Sequence, residues 1–182
     1  MIERRVTERS IVQIDEQKFG FRPGRGTTHA IFVVRQLQEK YMEKKKDLWM
    51  AFVDLEKAFD RVPREVLWWA LRKMNVPEQL LEVIKAMYNH AKTAVRTQNG
   101  IREEFEVKVG VHQGSVLSPP LFKIVLEALS KAFRGGLPWE ILYADDLVLI
   151  AESEEDLIKN IQKWKIGFES KGLKVNATKQ KL

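Results

Sequence analysis

The chain has 182 residues, of which 45% are hydrophobic, and carries a formal net charge of +6 at pH 7. These values suit one folded domain, exclude a disordered tail and are compatible with a polyanionic partner such as nucleic acid. The absence of cysteine excludes disulfides and thiolate metal sites, and no apolar stretch approaches the roughly 20 residues that cross a bilayer.

The start of the chain, MIERRVTERS, lacks the apolar core of a secretory signal. Together with the missing membrane span, this leads us to expect an intracellular protein, in the cytoplasm or the nucleus, without a membrane partner. No internal repeat or Gly/Ser linker divides the chain. We therefore treat it as one domain.

The first half of the chain predicts helices around one buried strand. A Gly- and Pro-rich loop, FGFRPGRGTT, precedes a helix that begins near Thr27 and ends in the charged run 43–47. The almost wholly apolar LWMAFVD then predicts a buried strand that ends at Asp54. Pro63 and Pro77 are each well placed to open a further helix.

The second half predicts a hairpin, a helix and a paired-strand unit. AVRTQ and FEVKV flank an Asn-Gly turn signal, although residues 101–104 could lengthen the loop. VHQGSVLSPP leads into a helix that Gly135-Gly136 should stop. WEILYADDLVLI predicts two short strands around an Asp-Asp pair, and Ser153 with Asp156 predicts the start of a helix closed by Gly172. LKVN predicts a last short strand. This order favours an α+β fold, with helices on an antiparallel sheet.

Aspartates stand where the predicted core strands end. Asp54 follows MAFV, while Asp145 and Asp146 separate ILY from LVLI. One such residue is typical of a turn or cap, but carboxylates gathered without a counter-charge repel each other, and a divalent cation relieves that repulsion. Oxygen ligands without Cys or His suit Mg²⁺.

Three motifs in fixed order give the chain a family resemblance. FVDLEKAFDRV, GVHQGSVLSP and YADDLVLIAES resemble the successive palm motifs of reverse transcriptases. With GFRPGRGTT upstream and GLKVNATK downstream, the sequence is most similar to non-LTR (LINE-type) retrotransposon polymerases, and group II intron enzymes are next. The resemblance covers residues 16–181. It implies a right-hand polymerase palm, with residues 1–47 as a fingers remnant and connecting helix, residues 48–182 as palm, and the thumb absent.

The resemblance implies an RNA-directed DNA polymerase that uses an RNA template, a DNA primer and dNTPs. Asp54 and Asp145 would bridge two Mg²⁺ ions, with Mn²⁺ as a substitute, and Asp146 would be a more peripheral acid. Lys179 matches the family lysine near the triphosphate and would act as a proton donor. Its ordinary alternative is a solvated lysine.

Nucleotide and nucleic-acid contacts are also implied. Phe59 occupies the steric-gate position, where a bulky ring excludes a 2′-hydroxyl, although it could be a core residue. Gln113 and Gly114 would lie along the nucleotide and template, and Tyr143 beside the primer end, although an aromatic residue can simply finish a strand. Two basic residues, Arg22 and Arg25, lie in the Gly-rich loop. They would contact template or nucleotide phosphates, or they are ordinary surface charges.

The sequence departs from the family pattern in places. It lacks the first finger strands, the thumb and an endonuclease, which we expect in a full-length protein. Pro120 stands where leucine is usual, and Gln180 replaces the commoner Thr or Ser beside the family lysine. The rival hypotheses are a catalytically idle retroelement remnant that only binds nucleic acid, and a viral RNA-copying polymerase; Phe59 and the Tyr143-Ala144 pair argue against the latter.

Overall fold

The computed structural model describes residues 2, 4–6, 26–98, 100–135, 139–143 and 146–181. Of residues 179–181 it describes only the backbone. The elements in chain order are α1 (Thr27–Glu43), β1 (Trp49–Leu55), α2 (Ala58–Arg61), α3 (Arg64–Lys73), α4 (Glu78–Tyr88), β2 (Lys92–Thr93), β3 (Arg96–Thr97), β4 (Gly100–Ile101), β5 (Phe105–Glu106), α5 (Ser118–Ser130), β6 (Glu140–Tyr143), β7 (Asp146–Ala151), α6 (Glu154–Glu169) and β8 (Val175–Lys181). Within these ranges, no helix is both long and apolar enough to cross a membrane.

Four of the described strands form the main sheet, in the order β6-β7-β1-β8, with every neighbouring pair antiparallel. Strand β1 is central: its Val53 pairs with Leu147 of β7 on one side and with Ala177 of β8 on the other. The predicted α+β fold with an antiparallel sheet is therefore confirmed.

One face of the sheet packs against helices. Ala51 and Val53 of β1 are buried in the main core, because side chains alternate between faces along a strand. Helix α6 contacts β7, β1 and β8 on this side, and α5 packs against both α3 and α6. The largest fully buried side chains there are aromatic: Trp164, Phe122 and Phe168. Fully burying one such side chain contributes roughly 1.5–3 kcal/mol.

The opposite face is covered at one end only. Met50 and Ile150 are buried there, and the helix α1 residues Val34 and Leu37 pack against them. No residue of α1 is itself fully buried, so this helix rests on the sheet as a thin cover. At the other end, Phe52 keeps 46% of its surface exposed. That open end faces the candidate site.

Local signals predicted most element starts. Helix α1 begins at Thr27, and α3 and α4 begin directly after Pro63 and Pro77. The Ser153 hydroxyl accepts a hydrogen bond from the backbone N–H of Asp156 (3.1 Å) and caps α6 as predicted. Each of these signals acts within one helical turn, which explains why sequence alone identified them.

The predicted hairpin is present, but its two strands are interrupted. Instead of two continuous strands, the described residues form two short ladders, β2 with β5 and β3 with β4. Gly100 pairs with Thr97 and so lies in a strand rather than in the turn. Nearly all residues of this hairpin are exposed, and without a buried face little holds a long ladder in register.

Two further boundaries differ from the prediction, and one helix was not predicted. Strand β8 runs to Lys181, beyond the predicted LKVN, because it pairs along the whole length of β1. Helix α5 ends at Ser130 rather than at Gly135. After Ser130 the chain forms a tighter turn, in which the Phe133 N–H donates to the Ser130 carbonyl oxygen (3.1 Å). The short helix α2 was not predicted, because four residues show too little periodicity.

Candidate active site

The open end of the sheet forms one wall of a cleft of about 540 Å³. Its lining comes from helix α1 and from all the main strands: Thr27, Ala30, Ile31, Phe52, Val53, Asp54, Tyr143, Asp146, Leu147, Val148, Asn176 and Thr178. Two of the three predicted acidic residues, Asp54 and Asp146, therefore line one space.

Strand register explains why these two aspartates are neighbours. Val53 pairs with Leu147; Asp54 follows the first of these residues and Asp146 precedes the second. In antiparallel strands this places the aspartates at matching positions, on strands that lie about 4.8 Å apart. Both residues are exposed to solvent. The two carboxylates thus come from stretches of chain more than ninety residues apart.

The donor set fits a hard divalent cation. Besides the two carboxylates, the described lining offers the Asn176 amide and the hydroxyls of Thr178 and Tyr143, and it contains no sulfur or imidazole ligand. Oxygen donors of this kind are those that Mg²⁺ prefers. Asp145 lies outside the described residues, and within them no group of three His or acidic side chains is arranged so that it could hold a metal ion. The described contribution to a metal site is therefore a pair of carboxylates.

Tyr143 forms the rim of the cleft beside the acidic pair. It pairs with Asp146 across the β6–β7 ladder, and its half-buried ring packs with the cluster beneath α1. Tyr143 is the last residue of β6, as its strand-end alternative predicted. Its place beside the primer end stays a prediction.

Phe59 lies in α2, just beyond the turn that follows β1. Lys57 makes that turn in the left-handed conformation (φ 49°), which is uncommon for a residue with a side chain. The Phe59 ring is half-buried and lies on Phe122 of α5, with ring centroids 4.4 Å apart. The aromatic contact holds the ring at the border of the core.

The loop before α5 is fastened to α2. Gly110 (φ +75°) and Val111 donate backbone hydrogen bonds to the carbonyl oxygens of Val62 and Phe59, each 2.8 Å long. A Cβ at Gly110 would lie 2.5 Å from the carbonyl oxygen of Asp60, so only glycine allows this approach.

Gln113 is held by the side chain of Asp60. Its Nε2 donates to Oδ1 of Asp60 at 2.5 Å. Asp60 lies inside α2, and its carboxylate faces Gln113. Gly114 (φ +80°) follows, with open space where a Cβ would be.

The remaining predicted residues are placed only in part. Lys179 pairs with Ala51 in the β8–β1 ladder, about 10 Å along the strand from Asp54; its side chain is not described. Arg22 and Arg25 lie outside the described residues. These three assignments stay predictions.

The structure adds cleft residues that the motif reading missed. Phe52, Thr178 and Asn176 all line the cleft, and the ladder pairs Phe52 with Thr178 and Asp54 with Asn176. The period-2 alternation of WMAFVDL could have placed Phe52 on the face of Asp54. No local signal could have revealed the two β8 residues, because their pairing depends on the tertiary fold.

The sequence of the whole chain matches a known protein family. A family model described as "Reverse transcriptase (RNA-dependent DNA polymerase)" matches residues 1–182, the whole chain. The chain belongs to the reverse transcriptase family.

Curated relatives of this reverse transcriptase domain come from mobile elements. The "RNA-directed DNA polymerase from mobile element jockey" of Drosophila funebris is 32% identical over 165 residues, which covers 84% of this chain and 18% of that protein. The "Retrovirus-related Pol polyprotein from type-1 retrotransposable element R2" of Nasonia vitripennis is 30% identical over 140 residues, 72% of this chain and 14% of the relative. The chain thus spans less than a fifth of these relatives, and its likeness to non-LTR retrotransposon polymerases is confirmed.

Solved structures show the same fold. Telomerase from Candida tropicalis, in complex with the TWJ fragment of telomeric RNA, superposes with a TM-score of 0.75 at 16% identity. The match covers 99% of this chain and 33% of that one. At this identity the likeness establishes the fold, which is that of a reverse transcriptase core.

Proposed function

We propose that this reverse transcriptase domain carries the nucleotidyl-transfer site of an RNA-directed DNA polymerase, which extends a DNA primer on an RNA template with dNTPs. The observation that carries the proposal is the position of Asp54 and Asp146 on neighbouring strands, at one end of the sheet, in the wall of one cleft. Asp145, which directly precedes Asp146 in the chain, would be the third acid of the site.

The acidic residues would hold two Mg²⁺ ions, with Asp54 and Asp145 as the shared ligands and Asp146 beside them. When bound, these ions supply activation of the primer 3′-hydroxyl and charge neutralisation at the leaving pyrophosphate. The contribution of the chain is a rigid frame: Asp54 lies on the central strand, which β7 and β8 hold from both sides. Ligands on such strands keep their positions better than ligands on loops.

Phe59 would discriminate deoxyribose from ribose. Its ring rests on the fully buried Phe122, so it cannot retreat into the core to make room for a 2′-hydroxyl. Gln113 and Gly114, fastened beside Phe59 through α2, would border the same nucleotide. Tyr143 would lie beside the primer end.

The template and primer phosphates would meet basic residues outside the cleft. Arg22 and Arg25, immediately before α1 in the chain, are the proposed phosphate ligands, since guanidinium groups match phosphate oxygens. Residues 1–47 would belong to the fingers and residues 48–182 to the palm. Lys179 would act near the triphosphate, as the family resemblance implies.

The test is extension of an oligo(dT) primer on poly(rA) with Mg²⁺ and dTTP. It is performed with the chain alone and with the chain extended by the regions that flank this domain in its relatives. We expect extension, and we expect Asp145→Asn to reduce it by several orders of magnitude, because the charge that would bind the ions is lost. Binding of the primer–template without extension in both forms would contradict the proposal and favour a binding protein without catalysis.

A further inference from the structure

We infer that Asp60 is a positioning residue, which holds the Gln113 side chain toward the sugar and phosphate of the incoming nucleotide. The inference rests on the function proposed above, in which Gln113 contacts that nucleotide. Its basis is the hydrogen bond from Gln113 Nε2 to Asp60 Oδ1 (2.5 Å). This bond joins residues 53 positions apart, so it is a product of the fold rather than of local sequence.

The backbones on both sides of this bond are already fixed. Asp60 is carried by α2, where its N–H bonds to the Lys57 carbonyl oxygen (2.9 Å). The loop that carries Gln113 is held next to α2 by the hydrogen bond from Val111 N–H to the Phe59 carbonyl oxygen (2.8 Å). It is held to α5 by the Ser118 hydroxyl, which donates to the His112 carbonyl oxygen (2.5 Å). The His112 ring also lies on Tyr88, with centroids 4.3 Å apart. With both backbones held, the Gln113 side chain is the freely rotating part.

The chemistry of the two groups determines the orientation of the amide. A carboxylate only accepts hydrogen bonds, whereas the glutamine amide donates from Nε2 and accepts at Oε1. Asp60 can therefore hold only the Nε2 end, since the flipped amide would bring Oε1 against the carboxylate. One N–H and the Oε1 acceptor of Gln113 remain for a ligand.

The position of Phe59 points to the sugar and phosphate as that ligand. Phe59 directly precedes Asp60, and its carbonyl oxygen accepts a hydrogen bond from Val111 in the Gln113 loop (2.8 Å). The Phe59 ring would limit the space beneath the sugar. The Gln113 amide, held by the residue that follows Phe59, would contact the same part of the nucleotide. Because Gln113 is exposed to solvent, without Asp60 it would sample several rotamers, and ordering them on binding costs affinity.

Steady-state primer extension tests the functional half of the inference. Asp60→Ala should raise the dTTP KM about three- to tenfold, the loss expected for one hydrogen bond, with little change in kcat. Asp60→Asn keeps an acceptor and should restore part of the affinity. The double variant Asp60→Ala/Gln113→Ala should bind dTTP as Gln113→Ala alone does. An unchanged KM in Asp60→Ala, or additive effects in the double variant, would overturn the inference.

Glu56→Ala is the matched control. Glu56 lies in the turn just before α2 and pairs with Arg61 (3.1 Å), so its removal should leave the KM for dTTP unchanged. Thermal unfolding of each variant separates a loss of nucleotide affinity from a loss of structure. If the parent binds and extends normally while only Tm falls in Asp60→Ala, Asp60 has a structural role and the inference is wrong.

A readout independent of catalysis uses side-chain amide resonances of the ¹⁵N-glutamine-labelled chain, with Gln113 assigned by its absence in Gln113→Ala. Asp60→Ala should shift the two Gln113 amide protons toward solvent-exposed values, and dTTP with Mg²⁺ should perturb them strongly in the parent and weakly in Asp60→Ala. Unperturbed signals in the parent would overturn the inference. Failure of primer extension alongside these shifts would overturn only the proposed polymerase activity.

Discussion

The two faces of the main sheet are built from the same strands but differ in burial. On the helix-covered face, Ala51, Val53 and Leu149 are almost completely buried. On the cleft face, one residue along from these, Phe52 is 46% exposed and Asp54 lies in solvent. Because neighbouring residues of a strand point to opposite faces, β1 holds the core and the candidate active site at once.

This difference in burial predicts that substitutions on the two faces affect stability and activity differently. The covered face contains the apolar contacts that stabilise the fold, while the open end of the other face contains the carboxylates of the proposed reaction. Substitutions on the open end should therefore change catalysis with little change in unfolding free energy. Substitutions on the covered face should do the opposite.

The largest expected effect is on the open end. Asp54→Asn should reduce primer extension by several orders of magnitude, since a cation ligand loses its charge, and it should leave Tm nearly unchanged because Asp54 is exposed. Asp47→Asn, which alters an exposed acid just before the other end of β1, is the control and should extend primers normally. Equal activity of the Asp54 variant and the parent would break the comparison.

The same phenylalanine substitution on the two faces tests the stability half. Phe168→Ala in α6 removes a fully buried ring and should cost about 3–5 kcal/mol of unfolding free energy. Phe52→Ala removes a ring that is half exposed and should cost about 1–2 kcal/mol. Urea unfolding of both variants measures the difference. Equal costs would show that the cleft face contributes to stability as strongly as the covered one.

Phe59 lies between the two regions and should affect selectivity. Phe59→Ala should lower the preference for dTTP over UTP by roughly tenfold or more, because space opens for the 2′-hydroxyl. Its contact with Phe122 predicts some loss of Tm as well. Competition between the two nucleotides in single-step extension gives the ratio, with the exposed Phe105→Ala as control. An unchanged ratio would remove Phe59 from the proposed gate.

The smallest effect concerns the cap of α6 on the covered face. Ser153→Ala should cost about 1 kcal/mol of unfolding free energy and leave nucleotide selectivity intact.

The Ser153 hydroxyl, and more weakly Lys159, hold the pKa of the Asp156 carboxyl below its usual range. A lowered folded-state pKa stabilises above the unfolded-state pKa, and this contribution is lost as pH falls through the folded-state value. The destabilisation by Asp156→Asn should therefore shrink in acid, and a constant difference would contradict this assignment.

Local sequence was sufficient for features that depend on one turn or one strand. The prolines before α3 and α4, the Ser153 cap and the apolar strand β1 all follow from interactions between near neighbours. Strand β1 extends one residue past the predicted end at Asp54, to Leu55. The ordered motifs by themselves also indicate the reverse transcriptase family. The exposed hairpin escaped such rules because no buried face specifies its register.

Only the tertiary structure decided which distant residues meet. The pairing of Val53 with Leu147 brings Asp54 beside Asp146, the β8 ladder adds Asn176 to the cleft, and the α2 contact joins Asp60 to Gln113. No residue in these pairs influences the local conformation of its partner, so no periodicity or spacing records the contact. Long-range strand pairing and loop packing form them, and these depend on burial across the whole chain.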